Sequence, residues 1–274
     1  MSSTPQAPNG HSDPIDRGSR QAKIQAATPK ESNLKAILGI LIALLAIGGI
    51  AWAIMAGMPD SGSDTKAGTL PRGATSQGGG IMLNATDPGE GVPVVDIYED
   101  FQCPACHLFH GAMGASVDEL ATSGKAKVIV HMKSFLDAGL KNDYSLKAAN
   151  VAACASDAGP EQFMKVRDGI MNSAPKPEDE GKGWPDMTFS QLAQDSGITG
   201  DAKKTFDKCV ADGAHNDYVN AVEEQSARDG ITGTPTYRIN GEEFDLRKVA
   251  DPMTGGPRED AGKIFTDAVL AAKK

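Results

Sequence analysis

Residues 91–110 read GVPVVDIYEDFQCPACHLFH, and their pattern changes from that of a strand to that of a helix. The first half is rich in β-branched residues and is bounded by glycine and charge, which predicts a strand. After the second cysteine, apolar residues recur at helical spacing until Gly124, which predicts a helix. Cys103 and Cys106 therefore lie where a strand ends and a helix begins, and Pro104 suits the first turn of that helix.

The residues that follow predict a β–α–β unit and then a helical block. AKVIVHMK, residues 126–133, predicts a second strand that pairs in parallel with the first through a right-handed crossover. The apolar spacing is helical from about residue 139 to residue 229, and strands return in residues 234–246 around an Asn240-Gly241 turn. A last amphipathic helix is predicted to begin near Pro257. The sequence thus predicts an α/β fold with an inserted helical block.

The N-terminal part of the chain predicts one transmembrane helix. Residues 36–57 contain no charged side chain. At about 1.5 Å per residue, such a helix can cross the roughly 30 Å of hydrocarbon in a bilayer. Five basic residues precede it and two follow within a comparable distance, so the N-terminus is expected in the cytoplasm. We expect a single-pass cell-membrane protein whose C-terminal domain is extracytoplasmic; a cleaved signal peptide is the alternative.

Polar segments flank this helix. Residues 1–35 are expected to be disordered in the cytoplasm, and residues 58–80 predict a flexible linker rich in Gly, Ser and Thr. The domain is therefore expected at residues 81–274. The net charge of −9 argues against a nucleic-acid partner. The sequence has no phosphate-binding loop and no zinc-protease, serine-hydrolase or calcium-binding signature.

Cys103 and Cys106 are compatible with three kinds of chemistry: a redox dithiol, part of a zinc site, or, with His107, a C-x-x-C-H haem attachment sequence. A zinc site would have to recruit His110 and place four ligands on about two helical turns. Small haem-binding cytochromes are largely helical, whereas strands are predicted here. The redox interpretation is favoured, because a helix N-terminus stabilises a cysteine thiolate. We expect neither a metal nor a cofactor.

Two motifs in the chain resemble those of a known family. DFQCPAC at residues 100–106, together with GITGTPTYRING at residues 230–241, resembles the thioredoxin superfamily, and the inserted helical block resembles its DsbA branch. The membrane helix and linker resemble those of tethered DsbA-like proteins of actinobacteria. The resemblance implies a thioredoxin fold and thiol:disulfide exchange through Cys103 and Cys106. It also implies a cis-proline at Pro235, with the backbone of Thr234 pairing with substrate.

The family also has a buried acid on the strand before the motif, which assists proton transfer. Asp96, Glu99 and Asp100 compete for that role here, and Asp96 is the residue we predict. An exposed Asp96 at the sheet is the alternative.

The dipeptide between the cysteines and three histidines complete the predicted site. Pro104 and Ala105 stand where the strongest oxidants of the family have a histidine, so a moderated oxidising power is expected. His107 is expected to modulate the dithiol. His110 and His131 are expected to be surface or packing residues.

Cys154 and Cys209 lie in predicted helices of the inserted block and outside any C-x-x-C pattern. A structural disulfide between the two helices is the favoured interpretation, with a second redox pair or two free thiols as alternatives. Closing a loop of that length would stabilise the fold by about 4 kcal/mol in the chain-entropy model.

The expected function is a thiol:disulfide oxidoreductase that introduces disulfide bonds into exported proteins. Its expected substrates are unfolded exported chains with free cysteines. By resemblance, a membrane quinone reductase of VKOR or DsbB type reoxidises it. A disulfide reductase or isomerase using the same pair is the alternative, and a non-catalytic binding module, a chaperone and a c-type haem protein are more remote. We expect a monomer.

Overall fold

The computed structural model describes residues 69–173 and 189–273 of the chain. The predicted disordered tail, the predicted membrane helix at residues 36–57 and the first part of the predicted linker lie outside those residues. Within the described residues, no helix is both long enough and apolar enough to cross a bilayer.

One mixed sheet contains five strands, β1 (Ile81–Met82), β2 (Val94–Asp100), β3 (Lys127–Lys133), β4 (Thr236–Ile239) and β5 (Glu242–Glu243). Their order across the sheet is β1-β3-β2-β4-β5. The central strand β2 pairs in parallel with β3, as the β–α–β pattern predicts, and antiparallel with β4. β1 and β5 are short antiparallel edge strands. The strand that leads into the C-x-x-C motif therefore lies at the centre of the sheet.

The helices of the described residues are α1 (Pro104–Thr122), α2 (Leu136–Leu140), α3 (Tyr144–Ala158), α4 (Pro160–Asn172), α5 (Phe189–Asp195), α6 (Gly200–Asp212), α7 (Asn216–Arg228) and α8 (Ala261–Ala271). α1 follows β2 directly, and α8 packs against α1. All helices from α2 to α7 lie between β3 and β4 in sequence. This inserted block begins a few residues before the predicted start at residue 139 and ends next to the predicted end at residue 229.

The core explains why these segments fold as they do. Val95 and Ile97 point to the same side of β2 and are fully buried. They belong to one buried cluster with Met113 and Val117, which are one helical turn apart on α1, and with Phe265 of α8. The period of two in β2 and the helical period in α1 thus bury apolar residues against each other.

The alternation of β2 stops at its C-terminal end. Tyr98, Glu99 and Asp100 are all buried, which means that both faces of the strand are covered there. The inserted block supplies that cover, since Glu99 contacts Arg167 of α4 and Asp100 contacts Ser145 of α3. Two acidic side chains are therefore buried just before the C-x-x-C motif.

Two predicted boundaries are wrong. The described end of the predicted flexible linker, residues 69–80, packs against the inserted block: Tyr218 donates a hydrogen bond to the Gly79 carbonyl at 2.6 Å, and the Arg72 amide donates to Asp157 at 2.9 Å. The same segment also lies close to β3, where only a glycine fits at position 80, because a Cβ on Gly80 would lie 2.7 Å from the Val130 carbonyl oxygen.

The last helix begins at Ala261 and not near Pro257. Pro257 instead forms a β-bridge with Ala250, and the turn between them is held by the Asp251 carboxylate, which accepts hydrogen bonds from the amides of Met253 and Thr254. A proline that suits a first helical turn also suits a turn before the helix, so the sequence pattern misplaced the start.

Candidate active site

Cys103 and Cys106 lie at the junction of β2 and α1. Cys103 occupies the N-cap position of α1, and Pro104 follows at the first helical position, where its missing N–H leaves no hydrogen bond unmade. Both cysteines are free thiols, and Cys103 is the more exposed, at 7% against 2% for Cys106. The outer sulfur is therefore the one that an approaching thiol reaches first.

The environment separates the acidities of the two thiols. A hydrogen bond from Cys106 is the main cause that lowers the pKa of Cys103 to about 6, and the Thr234 hydroxyl and the amides of Cys106 and Ala105 act in the same direction. Burial raises the pKa of Cys106 well above that of an ordinary thiol, and its hydrogen bond to Cys103 raises it further. Cys103 is thus the thiolate of the pair at neutral pH, and Cys106 the thiol.

The loop before β4 lies against the outer sulfur. The Thr234–Pro235 peptide bond is cis, and the Cys103 thiol lies 3.4 Å from the Thr234 carbonyl oxygen. Thr234 Oγ1 is buried and has no hydrogen-bond partner among the described residues. Its O–H is therefore available to the Cys103 sulfur. The two motifs singled out in the sequence meet at this point.

Asp100 and Gln102 join the loop before Cys103 to the inserted block. The buried Asp100 carboxylate accepts hydrogen bonds from the Gln102 amide at 2.9 Å, from Ser145 Oγ at 2.6 Å and from the Leu136 amide at 3.2 Å. Burial raises the pKa of Asp100 to about 7. The Gln102 side chain donates to Asp137 Oδ1 at 2.7 Å. This polar network fixes the position of the redox loop against α2 and α3.

A second buried charge lies one residue earlier. Glu99 and Arg167 form a two-point ion pair with both N–O distances at 2.7 Å, and Arg167 is 1% exposed. Burial raises the pKa of the Tyr237 phenol on β4, and the charge of Glu99 raises it further. The ion pair therefore joins the end of β2 to α4 of the inserted block, four residues before the outer cysteine.

Asp96, the predicted proton-transfer acid, lies away from the C-x-x-C motif. Asp96 Oδ1 lies 2.9 Å from His131 Nε2, and it is four residues before Asp100 on β2. At about 3.3 Å per strand residue, that separation is about 13 Å along the strand. The buried acids on the residues just before the dithiol are Glu99 and Asp100, and Asp96 contacts His131 elsewhere on the sheet.

The three histidines occupy different places. His107 points both ring nitrogens at backbone carbonyl oxygens, so neither nitrogen is directed at a metal or a haem. His110 is buried and lies 3.3 Å from Asp168 of α4. His131 stacks on Tyr98 with a centroid separation of 4.2 Å. His110 and His131 are thus packing residues with acidic partners.

Cys154 and Cys209 form a disulfide that joins α3 to α6, with a Cα–Cα distance of 5.9 Å. In the described part of the chain, a ring nitrogen of His215 and the two sulfurs lie within 4.8 Å of one another, a spacing that could hold a metal ion. The nitrogens of His215 instead contact the Thr69 carbonyl at 2.9 Å and Asp157 at 2.8 Å. The arrangement is a structural crosslink within the inserted block.

Sequence reasoning missed Arg167 and Tyr237. Arg167 interrupts a helical face that is otherwise apolar, with Phe163, Val166 and Ile170 as buried neighbours. A lone arginine on such a face must find a buried acid, and that signal could have been read from the sequence. Tyr237 carries no such signal, since an aromatic residue is ordinary in a strand.

Comparisons with known proteins agree with this geometry. A family model described as Thioredoxin matches residues 90–254. The reduced form of the disulfide bond oxidoreductase DsbG from Mycobacterium tuberculosis is 25% identical, with a TM-score of 0.50, over 69% of this chain and 92% of that chain. No curated protein matches the chain.

Two further solved structures show the same fold. The thiol-disulfide oxidoreductase MdbA from Actinomyces oris is 19% identical, with a TM-score of 0.55, over 77% of this chain and 99% of that chain. MdbA from Corynebacterium diphtheriae is 16% identical, with a TM-score of 0.54, over 77% of this chain and all (100%) of that chain.

Proposed function

Because this chain belongs to the thioredoxin family, we propose that it is a thiol:disulfide oxidoreductase that donates the Cys103–Cys106 disulfide to exported proteins. The observation that carries the proposal is the asymmetry of the two sulfurs. The pKa of Cys103, the more exposed thiol, is lowered to about 6, and that of the buried Cys106 is raised. A stabilised Cys103 thiolate favours the reduced protein, and a protein that is stable when reduced gives up its disulfide readily.

The proposed reaction has two exchange steps. A substrate thiolate attacks the Cys103 sulfur of the oxidised pair, the Cys103–Cys106 bond breaks, and Cys106 leaves and takes up a proton. A second substrate thiolate then attacks the substrate sulfur of the mixed disulfide, and Cys103 leaves as a thiolate. Two electrons move from the substrate thiols to the enzyme. The lowered pKa of Cys103 makes it a good leaving group in the second step.

Two features support an unfolded chain as the substrate. The Thr234 backbone lies beside the Cys103 sulfur, where an extended substrate segment would pair with it. Leu108, on the first turns of α1, is 58% exposed and offers an apolar contact next to the motif. Backbone and apolar contacts of this kind do not depend on one particular sequence, which suits a catalyst that accepts many substrates.

The location and the recycling partner are proposed from the sequence. The apolar segment at residues 36–57 and its basic N-terminal flank support a single-pass anchor with the domain outside the cytoplasm. The enzyme is reduced by each substrate, so it needs an electron acceptor there. We assign that role to a membrane quinone reductase of VKOR or DsbB type.

A transfer assay tests the proposal. The oxidised full-length chain in detergent is mixed with a reduced, unfolded model protein that has two cysteines. We expect the substrate to lose its thiols while the Cys103–Cys106 disulfide of the enzyme becomes reduced, and we expect no transfer by Cys106→Ala, which cannot carry that disulfide. Cys103→Ala should be inactive, whereas the matched control Cys154→Ala/Cys209→Ala should still transfer. Full transfer by Cys103→Ala would contradict the proposed site.

A further inference from the structure

The imidazole of His107 lies between two backbone carbonyl oxygens. Nδ1 is 2.6 Å from the carbonyl oxygen of Met171 in α4, and Nε2 is 2.8 Å from that of Phe101, two residues before Cys103. A carbonyl oxygen only accepts hydrogen bonds, so both ring nitrogens must carry a proton for both contacts to be hydrogen bonds. A neutral imidazole has one N–H and one lone pair.

The position of Met171 favours the charged ring. Met171 lies in the last turn of α4, which ends at Asn172, and the final carbonyls of a helix have no partner within the helix. They are also the negative end of the helix dipole, which stabilises a cation. The His107 ring therefore caps the C-terminus of α4 from α1, where a positive charge is favoured.

Other charged groups face the ring from each element around it. Burial lowers the pKa of His107 and is the largest influence on it, and His110 on α1 acts in the same direction. The Phe101 and Met171 carbonyls and Glu99 of β2 raise it. From α4, Arg167 pairs with Glu99 and Asp168 lies beside His110.

The contact geometry outweighs burial, because a neutral ring cannot keep both contacts. It would set a nitrogen lone pair against a carbonyl oxygen at under 3 Å, and releasing either contact would leave a buried carbonyl unpaired.

We propose that His107 is a positioning residue, held as an imidazolium in the reduced protein at neutral pH, that links the redox loop to the inserted block and supplies a positive charge beside the dithiol. The His107 amide donates to the Cys103 carbonyl at 3.3 Å, so the ring lies one helical turn from the outer cysteine. A cation there favours the Cys103 thiolate and therefore the reduced form. The effect on the dithiol rests on the proposed function, whereas the protonation state of His107 does not.

The coupling is reciprocal. If the imidazolium stabilises the thiolate, the thiolate stabilises the imidazolium by the same amount. Oxidation removes the thiolate, so His107 should lose its proton at a lower pH in the oxidised protein than in the reduced protein.

The first test measures the protonation state directly. The chain has five histidines. The full-length protein is labelled with ¹⁵N-histidine, and the His107 signals are identified by their absence in His107→Gln. We expect both ring nitrogens of His107 to be protonated at pH 7 in the reduced protein, with deprotonation at lower pH after oxidation. One protonated and one unprotonated nitrogen at pH 7 would overturn the proposal.

The second test measures the effect on the dithiol. In glutathione buffers, the equilibrium constant for reducing His107→Gln should be about tenfold lower than that of the wild type, the factor that one pKa unit represents. The matched control His131→Gln removes a histidine whose partner is Asp96, away from the dithiol, and should leave the constant unchanged. An unchanged constant in a folded His107→Gln protein contradicts the proposed charge effect.

The two proposals can fail separately. A charged His107 in a protein that transfers no disulfide would sink the proposed function and leave the protonation state standing. A neutral His107 in an active oxidase would do the reverse. The NMR measurement is made on the wild-type chain, and the variant only identifies the His107 signals; unchanged signals of the other histidines show that the variant is folded.

Discussion

The sulfur of Cys103 lies 3.4 Å from the backbone carbonyl oxygen of Thr234, a residue 131 positions later in the chain. The whole inserted block lies between these two residues in sequence. The site is therefore assembled from two ends of a divided α/β frame, and the block between them contacts Glu99, Asp100 and Gln102 just before Cys103.

The acidity of Cys103 should be visible in its reactivity. We expect the rate of alkylation of Cys103 to rise with a midpoint near pH 6, where its pKa lies. Cys106→Ala should move the midpoint upward, because the hydrogen bond from Cys106 is the main cause of the lowered pKa. A midpoint near pH 8.5 in the wild type, about the value of a free thiol, would contradict the described environment.

The same shift predicts how stability depends on pH. The folded pKa of Cys103 lies below that of the unfolded thiol, so ionisation stabilises the folded, reduced protein. This contribution should be complete above about pH 8.5 and should be lost as the pH falls through about 6. The oxidised protein has no thiol to titrate. The difference in free energy of unfolding between the two forms, measured by urea denaturation across this range, checks the prediction.

Asp100 and Asp96 should behave differently when replaced by asparagine. Asp100→Asn turns an NH₂ group toward donors that the carboxylate satisfies, and it should cost about 1–3 kcal/mol of stability and slow transfer. Asp96→Asn changes a group away from the dithiol and should leave transfer unchanged. Equal loss of transfer in both variants would return the proton-transfer role to Asp96.

Asp100 also predicts a pH effect of the opposite sign to that of Cys103. Its folded pKa is raised to about 7, so the folded protein holds a proton that the unfolded chain has lost. Its contribution to stability should fall as the pH rises from about 4 to 7. Asp100→Asn should remove this component from the pH profile of the free energy of unfolding.

Removing one partner of the Glu99–Arg167 pair should lower the free energy of unfolding more than replacing both partners. Arg167→Met leaves a buried carboxylate unpaired and should destabilise the protein by about 3–5 kcal/mol, measured by urea unfolding. The double variant Glu99→Leu/Arg167→Met removes both charges and should recover most of that loss. A double variant as unstable as the single one would show that packing, and not the unpaired charge, causes the loss.

The Cys154–Cys209 disulfide should serve stability and not transfer. Cys154→Ala/Cys209→Ala should lower the free energy of unfolding by about 4 kcal/mol, since the crosslink closes a long loop. The rate of disulfide transfer at a temperature where the variant is folded should match that of the wild type. A lost transfer activity in the folded variant would indicate a second redox pair.

The elements that the sequence predicts well depend on local signals. The strand before Cys103, the helix from Pro104 and the Asn240-Gly241 turn are each determined by residues adjacent in the chain. The pairing of Cys154 with Cys209 follows from the small number of cysteines. Sequence patterns fail where one segment is judged without its neighbours, as for residues 69–80, where a Cβ on Gly78 would lie 2.9 Å from the Ala221 carbonyl oxygen of the inserted block.

The choice among three acids on β2 is difficult for the same reason. Asp96, Glu99 and Asp100 lie on one strand, and local pattern cannot tell which of them a distant helix will cover. Arg167 covers Glu99 and Ser145 covers Asp100, whereas Asp96 is left to His131. These long-range contacts decide the electrostatics of the site.

The reduction potential of the Cys103–Cys106 pair distinguishes a disulfide donor from a reductase. The full-length chain in detergent is equilibrated in glutathione buffers, and the fraction of reduced thiols is followed by mass after alkylation. We predict a potential well above about −200 mV, which marks a disulfide donor. A potential near that of thioredoxin, roughly −270 mV, would contradict the oxidase and identify the protein as a reductase.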